Sequence, residues 1–212
     1  MNLLFFIIIN GFIFLSIVFL DIKSIDIQVS SLFFDKEAGW IGHGYTLEAF
    51  FYKLGILPGF LLALSTAWII LLKKENKTTA KLVLFTFLIG PGLFVNGLLK
   101  VWNERPRPRQ IIEFNGSDHY QYPLSKWQFS HGKQSFPSGH ASIAFFTALT
   151  GLLFFKRYAL QIFLSGILFG LCMGVARISV GGHFLTDILG SFFFTLLPYF
   201  MLKPKKGLLY KS

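Results

Sequence analysis

Three short stretches hold the side chains best suited to chemistry. The first is Lys100 followed by Arg107 and Pro108, the second Pro137-Ser138-Gly139-His140, the third Arg177 followed by His183 and Asp187. In the second, a proline suits a first helical turn, serine can cap it, and glycine lets another group approach the backbone. A helix start with free N–H groups attracts anions, and His140 beside it can exchange a proton with a bound anion. In the third, His183 and Asp187 are four residues apart, so on a helix they share a face and can hydrogen bond. A carboxylate on one imidazole nitrogen fixes the tautomer and leaves the other nitrogen as a base or nucleophile. Taken singly, each stretch has a plainer reading: Lys100 and the arginines can snorkel to a membrane interface, above all Arg105 and Arg109, and Asp187 can simply favour a helix dipole. Together they supply cations and N–H groups for phosphoryl oxygens, a nucleophile and an acid for a leaving group. These are the parts of phosphoryl transfer without a metal.

The elements that must position these groups are membrane helices. The chain has 212 residues, 53% hydrophobic and only 14% charged, with a mean hydropathy of +0.59 and 27 phenylalanines. That is too apolar for an ordinary soluble domain of this length. Six apolar runs, 3–20, 56–72, 82–99, 141–155, 160–175 and 188–202, predict an all-α polytopic membrane protein, a six-transmembrane-helix bundle forming one membrane-embedded domain over 1–212. The first run has no positive n-region and no small-x-small cleavage site, so it reads as an uncleaved helix. Residues 25–34 form a short amphipathic segment expected at the interface, and Trp40, Tyr45 and Tyr52 suit the headgroup level.

Six spans place both termini on one side of the membrane. That side receives ten of the 20 lysines and arginines in short segments, around 73–81, at Lys156-Arg157 and in the tail. The rest are spread over much longer loops. The positive-inside rule then makes the tail side cytoplasmic and turns the three motifs outward. The charge of +10 thus sets topology rather than nucleic-acid binding. The single cysteine, Cys172, excludes a disulfide framework and a cysteine-based metal site.

The motifs resemble those of the type 2 phosphatidic acid phosphatase superfamily, the membrane lipid phosphate phosphatases. Lys100–Pro108 matches Lys-x6-Arg-Pro, Pro137–His140 matches Pro-Ser-Gly-His, and Arg177–Asp187 matches Ser-Arg-x5-His-x3-Asp except that Ala176 replaces the serine. The resemblance implies His183 as the nucleophile that becomes a phosphohistidine, Asp187 as its orienting partner, and His140 as the acid that protonates the leaving alcohol. It implies that Lys100, Arg107, Arg177, Ser138 and the Gly139 backbone hold the phosphoryl oxygens, with no metal and no cofactor. His43, His119 and His131 match no motif position. The segment from Arg109 to Trp127 is similar to the long insertion of the bacterial lipid A phosphatases, which makes lipid A the expected substrate. Undecaprenyl pyrophosphate and phosphatidylglycerol phosphate are the alternatives. The implied setting is the bacterial inner membrane, with a periplasmic active site and a lipid phosphate as partner. A silent lipid-binding or transport protein on the same scaffold is the rival reading, as is transfer of the phosphoryl group to another lipid.

Overall fold

The computed structural model describes residues 21–44, 46–72, 77–125, 132–149 and 156–202. Its elements in order are α1 (Ile22–Ser31), the strands β1 (Phe34–Asp35) and β2 (Gly39–Trp40), α2 (Thr46–Lys53), α3 (Leu57–Leu72) and α4 (Lys77–Phe87). A π-helical stretch, Leu88–Leu99, carries α4 into a last α turn, α5 (Lys100–Trp102). Then come α6 (Gly139–Phe146), α7 (Ala159–Ser179) and α8 (Leu185–Leu202).

Among the described residues, four helices are long and apolar enough to cross a membrane: Phe50–Leu72, Thr78–Trp102, Ala159–Ser179 and Leu185–Leu202. The fold is therefore all-α and multi-pass, and the expectation of six spans is corrected to four among the described residues. The first expected span, 3–20, lies outside the described residues. The fourth, 141–155, is described as a helix only over the eight residues of α6. Leu61, Leu64, Trp68 and Leu71 lie 62–75% exposed on one helix, as lipid-facing residues do and as a water-soluble fold would avoid.

Inside the bundle, close backbone approach replaces bulk. Gly166, Gly170 and Gly174 recur every fourth residue on α7, and an added Cβ would sit 2.4 Å from the Ala148 backbone, 2.1 Å from the Phe145 ring and 2.6 Å from Ile188. Small residues of this kind let membrane helices pack without a hydrophobic driving force between them. Buried hydroxyls find carbonyls: Ser191 on α8 reaches the oxygens of Ser138 at 2.8 Å and Asp187 at 2.7 Å, tying the start of α6 to α8.

The polar segments are packed rather than loose. Trp40, Ile111, Phe114 and Phe184 form a buried cluster with Phe34 and Tyr120 packed against it. Trp40 is thus core, not a headgroup anchor. Gly181 makes this fit: its φ of 63° lies in the left-handed region, and a Cβ there would meet the Trp40 ring at 2.3 Å. Tyr45 lies outside the described residues. The segment expected at the interface is α1, capped by Asp21, and it buries Asp26 and Ser30. Its contacts with α8 carry Asp26 into the protein beside the start of that helix.

Candidate active site

Helix ends bring the three motifs to one end of the bundle. Lys100 closes one span, Arg177 ends α7, and His183 and Asp187 flank the start of α8. Pro91 lies inside the π-helical stretch ahead of Lys100, and Asn96 Nδ2 donates to the Pro91 oxygen at 2.7 Å. π-Turns of this kind are frequent at functional sites. Asn96 and Lys100 both press on the α6 start: a Cβ on Gly139 would lie 2.4 Å from Asn96 Oδ1 and 3.3 Å from Lys100 Nζ. Only glycine leaves room there for the lysine to reach the helix N-terminus. Ser138 caps that helix, its Oγ accepting from the Ala141 N–H at 3.4 Å, and its own N–H donates to the Asp187 oxygen at 3.3 Å.

His183 is buried, two residues ahead of α8 rather than on it. Its Nδ1 lies 2.7 Å from the backbone oxygen of Ser135 and 3.5 Å from Asp187 Oδ2. A carbonyl can only accept, so Nδ1 carries the proton and Nε2 keeps its lone pair. The spacing of His183 and Asp187 predicts that the two can hydrogen bond, and at 3.5 Å their contact lies at the outer limit of one. The shorter contact, to the carbonyl, sets the tautomer, and the carboxylate stands just behind it. Asp187 Oδ2 accepts from the Ser135 hydroxyl at 2.6 Å and from the Phe184 N–H at 2.8 Å. Its Oδ1 accepts from Arg105.

Arg105 is the residue that sequence reasoning missed. It is fully buried, not snorkelling, and all five of its N–H donors have acceptors. These are Asp187, Asp26 Oδ2 at 2.7 Å, the Thr186 and Tyr120 hydroxyls at 2.9 Å each, and the Gln121 oxygen at 2.8 Å. Burial alone would lower the Arg105 pKa, but Asp187 and Asp26 outweigh it and raise it. One sign was available in the sequence: Asp26 is a lone acid among Ile22, Ile25, Ile27 and Val29, where a buried carboxylate needs a cation.

His140 stacks on Tyr52, with ring centroids 4.9 Å apart, and the Arg177 guanidinium lies 4.9 Å from the same ring. Tyr52, expected at headgroup level, therefore lies at the site. A cavity of about 200 Å³ opens there, lined by His43, Tyr52, Arg107, Arg109 and Arg177. Sequence reading set His43 and Arg109 aside, and the structure returns both to this cavity. His119 is exposed elsewhere, and His131 lies outside the described residues.

Burial pushes the His140 pKa down to about 4, and the positive field of Arg177, Lys100 and Arg107 adds to this. His183 is also pushed down to about 4, chiefly by burial; Asp187 opposes the shift, and Arg177 and Lys100 reinforce it. Both imidazoles are therefore neutral at pH 7 in the empty site. Among the described residues no three His, Cys, Asp or Glu side chains lie close enough together to hold a metal ion.

A family model described as the PAP2 superfamily matches residues 80–202, more than half of the chain. The chain belongs to the PAP2 superfamily. The lipid A 4'-phosphatase of Francisella tularensis subsp. novicida (strain U112) is 30% identical to it, over 81% of this chain and 82% of that one. Phosphatidylglycerophosphatase B of Bacillus subtilis (strain 168) is 29% identical, over 57% of this chain and 56% of that one. A lipid A 4'-phosphatase of Rhizobium leguminosarum is 35% identical, over 54% of this chain and 49% of its own. The crystal structure of a transmembrane PAP2-type phosphatidylglycerolphosphate phosphatase from Bacillus subtilis superposes with a TM-score of 0.53 at 23% identity. It covers 93% of this chain and 90% of its own, and that likeness shows the shared fold. The protein is thus a PAP2-type phosphatase of lipid phosphates, built as a multi-pass membrane protein with bacterial relatives.

Proposed function

We propose that the protein hydrolyses a phosphate monoester of lipid A through a phosphohistidine on His183, without a metal. The observation that carries the chemistry is the protonated Nδ1 of His183 against the Ser135 carbonyl, which leaves Nε2 as a lone-pair nucleophile amid cations. In this reading Nε2 attacks phosphorus as the P–O bond to the lipid breaks. The departing alkoxide takes a proton from His140. Lys100, Arg107, Arg177, Ser138 and the Gly139 N–H hold the phosphoryl oxygens, where the transferred group carries most negative charge. Water then attacks phosphorus, giving a proton back to His140, and the P–N bond breaks to release inorganic phosphate. His140 is neutral at pH 7 before substrate binds, so its proton arrives with substrate. A phosphomonoester has a second pKa near 6, so part of it binds as a monoanion at neutral pH. Its negative charge also offsets the cations that depress His140.

Lipid A as the substrate is supported by the named activity of the Francisella and Rhizobium relatives. The likeness to phosphatidylglycerophosphatase B keeps a glycerophosphate lipid as the second reading. We place the reaction on the periplasmic side of an inner membrane, from the lysines and arginines that the sequence concentrates in short segments around 73–81, at Lys156-Arg157 and in the tail. The test is to give purified protein lipid A, phosphatidylglycerol phosphate and undecaprenyl pyrophosphate side by side and weigh the products by mass spectrometry. Preferred loss of one phosphate from lipid A is expected. Faster turnover of either other lipid contradicts the substrate, and no phosphate release from any lipid contradicts the reaction.

A further inference from the structure

Asp26 and Arg105 are buried beside the site and take no part in the reaction just described. Arg105 bridges two carboxylates, Asp26 on α1 and Asp187 on α8. Tyr120 and Thr186 close the ring: each hydroxyl accepts from Arg105 and donates to Asp26 Oδ2, at 2.8 Å and 2.7 Å. The Thr186 N–H donates to Asp26 Oδ1 at 3.0 Å. All three ionic side chains are fully buried, so their charges act on one another with little screening.

The charge balance of this triad matters for His183. Phosphorylation of Nε2 leaves an imidazole whose Nδ1 still holds its proton, and positive charge develops on the ring. Asp187 at 3.5 Å can stabilise that charge only while its own charge is not cancelled. Arg105, bonded directly to Asp187, would cancel it. Asp26 supplies a second negative charge to Arg105, and the triad of two carboxylates and one guanidinium keeps one negative charge to face the histidine.

We propose that Asp26 is a positioning residue for the phosphoryl-transfer step: it occupies Arg105, so that Arg105 can aim Asp187 without neutralising it. The inference rests on His183 as nucleophile. Acid-quench labelling of the unaltered protein tests that reading separately, because a label on another residue overturns it whatever Asp26 does.

The experiment measures kcat and KM with dioleoyl phosphatidic acid in detergent micelles, and the inhibition constant of inorganic phosphate, for Asp26→Asn, Arg105→Gln and the double variant. Asp26→Asn leaves Asp187 neutralised by Arg105, and kcat is expected to fall by about 10-fold or more, as losing one unscreened charge near the reacting centre would do. The phosphate inhibition constant should stay within about 3-fold, since the phosphate-holding cations are untouched. The double variant removes one charge of each sign and restores the single negative charge of Asp187. It should therefore turn over at least about 5-fold faster than Asp26→Asn, a rescue that a purely structural role would not give. A double variant as slow as Asp26→Asn, or an Asp26→Asn protein with the unaltered kcat, overturns the proposal. Should Asp26→Asn fail to fold, the double variant decides alone. The proposal expects its kcat within about 10-fold of the unaltered protein, and a folded double variant without turnover overturns it.

Discussion

Each ionisable side chain of the site has its state set by a different neighbour. A backbone carbonyl fixes the tautomer of His183, a guanidinium and a hydroxyl hold Asp187, and burial, reinforced by nearby cations, keeps His140 neutral until substrate binds. The pH profile follows from these environments. In the proposed mechanism the nucleophile must be neutral, and burial lowers the His183 pKa to about 4, so its lone pair persists until the pH falls through about 4. The acid limb of kcat/KM is therefore expected well below 6.5, the ordinary value for histidine. The basic limb should begin near pH 6–7, where the substrate loses the proton it brings to His140. A profile from pH 4 to 8 in which the acid limb sits at 6.5 or above contradicts this. His140→Ala should slow a lipid alkoxide leaving group far more than nitrophenolate from a nitrophenyl phosphate, because only the poor leaving group needs a general acid. Equal slowing of both substrates would remove His140 from that role.

At the scale of the elements, close backbone contacts do two separate jobs. Gly139 at the start of α6 leaves space for Asn96 and Lys100, whereas Gly170 within α7 leaves space for Phe145. Alanine at position 139 drives Asn96 Oδ1 out of place and crowds the Lys100 ammonium at the helix N-terminus. It should lower kcat/KM by about 100-fold, comparable with losing one well-placed oxyanion donor, while thermal unfolding in detergent barely moves. Alanine at position 170 overpacks the helix contact. It should cost about 1–3 kcal/mol of stability, seen as a lower Tm, with near-normal turnover at 25 °C. If the two variants exchange phenotypes, the division between catalytic and packing glycines is wrong. The motif residues could be singled out in sequence because each needs its own chemical type at a fixed spacing. Arg105 and Asp26 were not, because they are far apart in sequence and only the fold shows that one charge answers the other. Periodicity does not distinguish a buried carboxylate on α1 from a solvated one.

For the whole molecule, apolar runs announced an all-α, multi-pass membrane protein, and four of the six expected spans are met by long apolar helices among the described residues. Hydropathy registers α6 as apolar, yet its eight described residues lie against α7 and α8 and are mostly buried in protein. The small strand pair and the packed segment around Ile111 and Phe114 were also hidden, since their order comes from tertiary contacts with Trp40 and Phe184. Orientation is testable with a membrane-impermeant thiol reagent in a Cys172→Ala background. Ser117→Cys, on the side of the site, should label in spheroplasts, and Tyr158→Cys, at the far end of α7, only after permeabilisation. Labelling of both from outside, or of Tyr158→Cys alone, contradicts a periplasmic site.

The central claim is that phosphorus passes through His183. Rapid-quench mixing with a ³²P-lipid measures this directly, followed by alkaline electrophoresis that preserves a phosphorus–nitrogen bond. The unaltered protein should accumulate label within the first turnover, on a peptide containing His183. His183→Ala should show neither label nor turnover, and Asp187→Asn should form label on the order of 10²–10⁴-fold more slowly, as other histidine–carboxylate pairs do. Phosphoenzyme in His183→Ala at the level of the unaltered protein would contradict the account.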